Sequence, residues 1–152
     1  MKKIFFAIVF CFVCVGLVQA SSWKIDPDHS AARFTIKHMT VSNVHGSFSG
    51  VTGEAFFDEE NLKNFSLNIT VDVNSIDTGV MKRDDHLKSA DFFEVAKFPV
   101  MQFVSRRVVQ AGEGSYLVTG DLTIHGITKV VQVNLDGPTE AIKDPWGNMR
   151  KG

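Results

Sequence analysis

The chain has 152 residues, a formal net charge of −1 at pH 7, and 13 phenylalanines against a single tyrosine. A nearly neutral chain without a long run of Lys and Arg lacks the positive charge that attracts nucleic acid or an anionic membrane surface. We therefore expect no nucleic-acid partner. The length suits a single domain with one hydrophobic core.

Residues 1–20 have the pattern of a secretory signal peptide. Lys2 and Lys3 give a positive start, residues 4–18 form an apolar run, and the segment ends at Ala20 in a small-residue cleavage pattern. The run is shorter than the roughly 20 residues of a membrane-spanning helix, so a retained anchor is the less favoured alternative. We predict an exported single domain at residues 21–152, with no stable membrane span after cleavage. Both cysteines precede the predicted cleavage site.

Beyond residue 20, apolar and polar residues alternate with the period of two that is typical of β-strands with one covered face. The alternation is cleanest at residues 65–73, whereas residues 100–109 carry apolar side chains on both parities and are predicted to be covered on both faces. Tight turns are predicted at residues 112–114 and 125–126. The predicted strands cover residues 23–26, 30–37, 44–57, 65–73, 100–109, 116–124 and 127–135. This pattern predicts an antiparallel all-β fold, either a sandwich or a barrel.

Residues 75–103, the central segment, interrupt the strand pattern. A short charged helix is predicted after Gly79, with Asp77 or Thr78 as its N-cap. Several phenylalanines follow in quick succession around Pro99. A segment that is polar at one end and aromatic at the other is expected to act as a flap over an apolar interior.

No catalytic motif is recognisable. The nearest sequence to a hydrolase nucleophile elbow, GSFSG at 46–50, has Phe48 in the place of the nucleophile. A phosphate loop and a dinucleotide fingerprint are also missing from the sequence. The five histidines lack the spacing of a zinc or facial-triad site. We expect no metal and no other cofactor.

Asp84, Asp85 and His86 could in principle supply an acid, a base and an orienting group. A structural role is favoured, because both carboxylates fall in the early turns of the predicted helix, where negative charge interacts favourably with the helix dipole. Arg83 is available to pair with a carboxylate. Contact with the head group of a ligand and catalysis are the alternatives.

Phenylalanines cluster in and near the central segment, at Phe48, Phe92, Phe93, Phe98 and Phe103. Such clusters are more often part of a packed core than of a binding pocket. A small barrel, however, either fills its interior with side chains or encloses one ligand. The sequence leaves both possibilities open.

Several motifs, in order, resemble the YceI-like proteins of bacteria. They are WKID at 23–26, SIDTG at 75–79, RDDHL at 83–87, SADFFEV at 89–95, KFPVMQF at 97–103 and GDLTIHGITK at 120–129. The resemblance implies an antiparallel lipocalin-like β-barrel with one short helix between strands. It also implies export to the periplasm and a long apolar ligand in the barrel, such as a polyisoprenoid, an isoprenoid quinone or a fatty-acid amide. Family domains continue beyond a position like Gly152, so we expect a barrel without its C-terminal closing strands.

We therefore expect a carrier or sequestering protein that is not an enzyme, with a homodimer as one possible assembly. The alternatives are an enzyme acting on an isoprenoid or lipid chain through His86, and a stress-response barrel with a filled core. The predicted ligand-binding residues are Phe34, Phe48, Met81, Arg83, Asp84, His86, Phe92, Phe93, Phe98, Met101 and Phe103.

Overall fold

The computed structural model describes residues 21–58 and 61–152; the predicted signal peptide lies outside the described residues. The described part contains eleven strands and one α-helix, α1 (Met81–Lys88). The strands are β1 (Ser21–Lys24), β2 (Ala32–His38), β3 (Ser42–Phe48), β4 (Val51–Phe57), β5 (Ser66–Asp72), β6 (Ile76–Asp77), β7 (Val100–Gly112), β8 (Ser115–Ile124), β9 (Ile127–Asp136), β10 (Ile142–Lys143) and β11 (Met149–Arg150).

The strands form one large sheet and two small ones. Six strands pair in the order β1-β4-β5-β7-β8-β9, three in the order β2-β3-β6, and β10 pairs with β11. Every pairing is antiparallel. The predicted all-β antiparallel fold with one short helix is thus confirmed. Within residues 21–58 and 61–152 the large sheet does not close into a ring, since β1 and β9 are its two edges.

Strand β5 shows how the alternation in sequence becomes one covered face. Leu67 and Val71 are buried, while Ser66, Asn68 and Asp72 are exposed. The buried residues join two apolar clusters, one around Phe48, Val73 and Met101 and the other around Phe103, Tyr116 and Val118. Burial of these side chains, at about 25 cal/mol per Å² of apolar surface, is the main stabilising contribution to the fold.

Strand β7 is covered on one face only, so the prediction that both faces are covered is wrong. Met101 and Phe103 are buried, whereas Val100 and Val104 are 40% and 47% exposed. The pairing with β8 shifts between Ser105 and Arg107. This bulge adds one residue and reverses the parity, so that the even-numbered Val108 is also buried. The apolar residues on both parities therefore reflect a bulge.

The small sheet of β10 and β11 was not predicted from the sequence. It is attached to the start of the chain by Arg150, whose Nη1 lies 3.0 Å from Asp26 Oδ2 and whose Nε lies 3.1 Å from Asp144 Oδ2. A hydrogen bond with the His29 ring is the main cause that lowers the pKa of Asp26. These ion pairs join the two ends of the described chain on the protein surface.

Gly120 in β8 permits a close approach of β7. A Cβ atom at this position would lie 2.5 Å from Phe103 Cζ and 2.6 Å from the Val104 carbonyl oxygen. We expect Gly120→Ala to lower the free energy of unfolding by about 1–3 kcal/mol, because the new methyl group overpacks the core. Urea denaturation measures the change. Gly112→Ala is the matched control, since its Cβ would meet nothing closer than Ser115 Cβ at 3.8 Å. Equal losses in the two variants would contradict the explanation.

Candidate functional site

An apolar cavity of about 810 Å³ lies between the large sheet, the β2–β3–β6 sheet and the central segment. Its volume falls in the range of small-molecule binding sites, roughly 300–1,000 Å³. It is lined by Ala32, Arg33, Phe34, Ile36, Phe48, Ile69, Val71, Leu87, Phe92, Phe93, Met101, Gln102, Phe103, Leu122, Ile124 and His125. Only three of these residues carry polar side chains: Arg33, Gln102 and His125. The cavity is therefore suited to an apolar molecule.

A row of phenylalanine rings forms one part of the wall. The centroids of Phe34 and Phe48 are 5.5 Å apart, and Phe93 packs edge to face on Phe48 at 5.9 Å. Phe34 can lie close to β3 because its strand partner there is Gly46. A Cβ at Gly46 would overlap the Phe34 ring. Such contacts between rings are favourable beyond the area they bury, so the row is expected to be stiff.

Six of the eleven predicted ligand-binding residues line the cavity: Phe34, Phe48, Phe92, Phe93, Met101 and Phe103. The other five lie outside its lining: Met81, Arg83, Asp84, His86 and Phe98. Met81 is 81% exposed and is not among the residues of the cavity wall. Phe98 packs instead against His125, with 4.4 Å between ring centroids.

Asp84 is the buried charged residue of the described chain, and its contacts are structural. Its Oδ1 accepts hydrogen bonds from the Thr78 backbone N–H at 3.0 Å and the Thr78 hydroxyl at 2.6 Å. Arg83 donates from Nε to Thr78 Oγ1 at 2.7 Å and from Nη2 to the Thr78 carbonyl oxygen at 2.8 Å. We call these three residues the Asp84 clamp. The clamp ties α1 to the loop that follows β6.

The predicted N-cap of the helix is wrong. The helix is preceded by Val80, which makes no side-chain capping bond, and neither Asp77 nor Thr78 caps it. Asp77 instead accepts from the Gly79 N–H at 2.7 Å. A capping side chain in the loop would accept a hydrogen bond from a backbone N–H of the helix. Here the helix residue Asp84 accepts from the backbone N–H of Thr78 in the preceding loop.

His86 does not converge with Asp84. Its side chain is 60% exposed, and its Nε2 lies 3.1 Å from Asp91 Oδ2. The same ring packs edge to face on Phe92 at 5.0 Å. His86 thus connects α1 to the loop that carries Phe92, whereas Asp84 faces the opposite connection at Thr78.

Ten of the sixteen residues that line the cavity were not predicted from the sequence. Ile69 and Val71 have the parity of the covered face of β5, and Leu122 and Ile124 have that of β8. The alternation therefore indicated that these residues face the interior, but not whether they line a cavity or pack in the core. His125 gave no such signal, because it sits in a turn with a φ of 51°. Its Nε2 is buried, lies 3.4 Å from Glu94 Oε2 and makes no well-formed hydrogen bond.

Among residues 21–58 and 61–152, no group of three or more His, Cys, Asp or Glu side chains is arranged to hold a metal ion. In the same part of the chain, no helix has the length and apolar character needed to cross a membrane.

An antiparallel β fold with an apolar cavity beneath a short helical segment is the architecture of lipocalin-like binding proteins. Residues 23–143 match the YceI-like domain family, and the chain belongs to this family. The predicted resemblance is confirmed.

Curated relatives agree with this assignment. The chain is 41% identical to a UPF0312 protein of Photorhabdus laumondii over 135 residues, which are 88% of this chain and 69% of the relative. It is 39% identical to Protein YceI of Salmonella newport over 141 residues, which are 90% of this chain and 72% of the relative.

Solved structures show the same fold. The YceI protein of Campylobacter jejuni superimposes with a TM-score of 0.63 at 30% identity, over 84% of this chain and 74% of that one. BcnA of Burkholderia cenocepacia superimposes with a TM-score of 0.64 at 28% identity, over 75% of this chain and 68% of that one.

Replacing Asp84 tests the structural role of the clamp. We expect Asp84→Ala to lower the free energy of unfolding by about 1–3 kcal/mol, because the N–H and hydroxyl of Thr78 lose a buried acceptor. Asp85→Ala is the matched control, since Asp85 is the neighbouring carboxylate on the same helix and is exposed. Thermal denaturation compares the two. If Asp85→Ala destabilises the protein as much as Asp84→Ala, the clamp does not have the importance we assign to it.

Proposed function

We propose that the protein binds a long apolar molecule in its cavity and carries or sequesters it in the periplasm. The observation that supports the proposal is the cavity itself, about 810 Å³ in volume and lined almost entirely by apolar side chains. Candidate ligands are a polyisoprenoid, an isoprenoid quinone and a fatty-acid amide. Each has a long hydrocarbon chain and a small head group.

Binding energy in such a cavity comes mainly from removal of methylene groups from water, at about 0.8 kcal/mol for each CH₂. Phe34, Phe48, Phe93, Met101 and Phe103 are the wall residues that we propose to contact the chain. Phe92 is 51% exposed and also lines the cavity, so it is the proposed contact at the entrance. The Asp84 clamp acts indirectly by positioning α1, which supplies Leu87 to the wall.

The alternative functions are less well supported. A barrel whose core is filled with side chains would not contain a cavity of this size. An enzyme that uses His86 with Asp84 or Asp85 needs these side chains together at the cavity. Asp84 is bonded to Thr78, Asp85 is exposed, and His86 lies beside Asp91 at the surface. Export is supported by the sequence pattern of residues 1–20.

Native mass spectrometry tests the proposal directly. The protein, purified gently from its host without detergent, is expected to carry a co-purifying apolar molecule that organic extraction releases. The proposal would be overturned if repeated preparations contained only the polypeptide without a bound molecule and if this protein took up no added long-chain amides or prenols.

A homologous series of fatty-acid amides tests the origin of the affinity. We expect each added methylene to strengthen binding by about 0.8 kcal/mol, roughly fourfold in Kd, until the cavity is full. Isothermal titration calorimetry measures the series. An affinity that is independent of chain length would mean that the head group, and not the cavity, provides the binding energy.

Filling the cavity tests its location. We expect Leu122→Trp to weaken binding of a long-chain amide by about tenfold or more, because the indole occupies space that the ligand needs. Val104→Trp is the matched control, since Val104 is 47% exposed on the uncovered face of β7 and does not line the cavity. Thermal denaturation verifies that both variants fold. An equal loss of binding in the control would place the ligand elsewhere.

A further inference from the structure

The hairpin of β2 and β3 projects beyond the rest of its sheet. The two strands pair with each other from Ala32 opposite Phe48 to His38 opposite Ser42. Only Ser47 and Phe48, at the base of β3, also pair with β6. In the part of the chain that the structure describes, no strand pairs with the outer half of this hairpin.

The tip of the hairpin is apolar and exposed. Met39 is 77% exposed and Val41 is 88% exposed, the highest value among the large apolar residues of the described chain. The turn is closed by a hydrogen bond of 3.1 Å from the Val41 N–H to the His38 carbonyl oxygen. Met39 and Thr40 both have positive φ, at 49° and 61°, where Gly, Asn and Asp are the usual residues. An apolar tip on a strained turn has no benefit for folding in water, which suggests a function for these residues.

The hairpin is also cationic, although the whole chain is nearly neutral. Between Asp28 and Glu54 there is no carboxylate side chain, while Arg33 and Lys37 lie on β2. The hairpin therefore has a positive net charge, although the net charge of the whole chain is −1. Asp77, the nearest carboxylate by strand pairing, lies opposite Ser47 at the base of the hairpin, and accepts a bond from the Gly79 N–H.

Strand β2 extends from the cavity wall toward the tip of the hairpin. Ile36 lies on β2 three positions before Met39, is 57% exposed and lines the cavity. Two other cavity residues, Phe92 and Ile124, are 51% and 36% exposed. A partner that covered the tip would thus also reach the entrance of the cavity.

We infer that the tip of the β2–β3 hairpin docks on the surface of an anionic lipid bilayer. Met39 and Val41 enter the interface between head groups and acyl chains, and Lys37 lies beside the anionic head groups. Apolar side chains flanked by basic ones are the combination that such an interface binds. The inference rests on the proposed function, because a ligand of very low solubility in water has to enter and leave the cavity at a membrane.

Flotation with vesicles tests the inference. The purified protein is mixed with vesicles of phosphatidylcholine alone or of equal parts phosphatidylcholine and phosphatidylglycerol. We expect binding to the anionic vesicles that decreases as salt is raised, because salt screens the charge of Lys37. The double variant Met39→Ser/Val41→Ser is expected to lose about tenfold or more in vesicle affinity.

The matched control is Ile142→Ser/Trp146→Ser, which removes two apolar side chains that are 66% and 83% exposed from the β10–β11 region. It is expected to bind vesicles like the unaltered protein. Failure of the unaltered protein to float, or an equal loss in both double variants, would overturn the inference. Light scattering provides another test. A dimer of the unaltered protein that the tip variant alone fails to form would also overturn the inference, because the tip would then be a contact between copies of the chain.

A separate measurement distinguishes this inference from the proposed function. Binding of the fluorescent apolar probe N-phenyl-1-naphthylamine in solution reports on the cavity, which Met39 and Val41 do not line. The tip variant is expected to bind the probe normally while it loses vesicle binding. If no variant binds the probe, the proposed function fails; if the probe binds and the tip variant still floats, the docking inference alone fails.

Discussion

The buried carboxylate of Asp84 is the polar contact on which the shape of the cavity depends. A carboxylate removed from water is costly unless donors surround it, and here the N–H and hydroxyl of Thr78 serve as donors. The hydroxyl of Thr78 in turn accepts from Arg83, so the donors and acceptors of this small group satisfy one another. This network allows one position of α1 relative to the loop after β6, and the helix then carries Leu87 and the phenylalanine loop to the cavity.

Polar and apolar parts of the central segment have different tasks. Its charged half makes bonds within the segment, above all those of Asp84 and Arg83 to Thr78, and no carboxylate lines the cavity. Its aromatic half supplies Phe92 and Phe93 to the wall. The separation matters physically, because an unpaired polar group in an apolar cavity would hold water and weaken the burial of a hydrocarbon chain. Arg33, Gln102 and His125 are the polar residues of the lining, and the imidazole of His125 packs against Phe98 and lies beside Glu94.

Local patterns in the sequence predicted the elements that depend on local chemistry. The alternation of residues 65–73 predicted β5, the glycines predicted the β7–β8 and β8–β9 turns, and the charged run after Gly79 predicted α1. What depends on pairing between distant segments was not predictable in this way. The bulge at Arg106 is visible only against the register of β8, and the Asp84 clamp runs in the direction opposite to an ordinary cap. For the same reason alternation identified covered positions such as Ile69 but could not tell which of them border a cavity.

The contact between Phe34 and Gly46 has a wider consequence for how such a cavity changes. The ring of Phe34 rests on the backbone of β3 more closely than any residue with a Cβ would permit. The depth of the wall at this point is therefore determined by the residue behind the ring, which touches no ligand itself. A binding protein built in this way can alter the cross-section of the molecule it accepts while every residue that contacts that molecule stays the same.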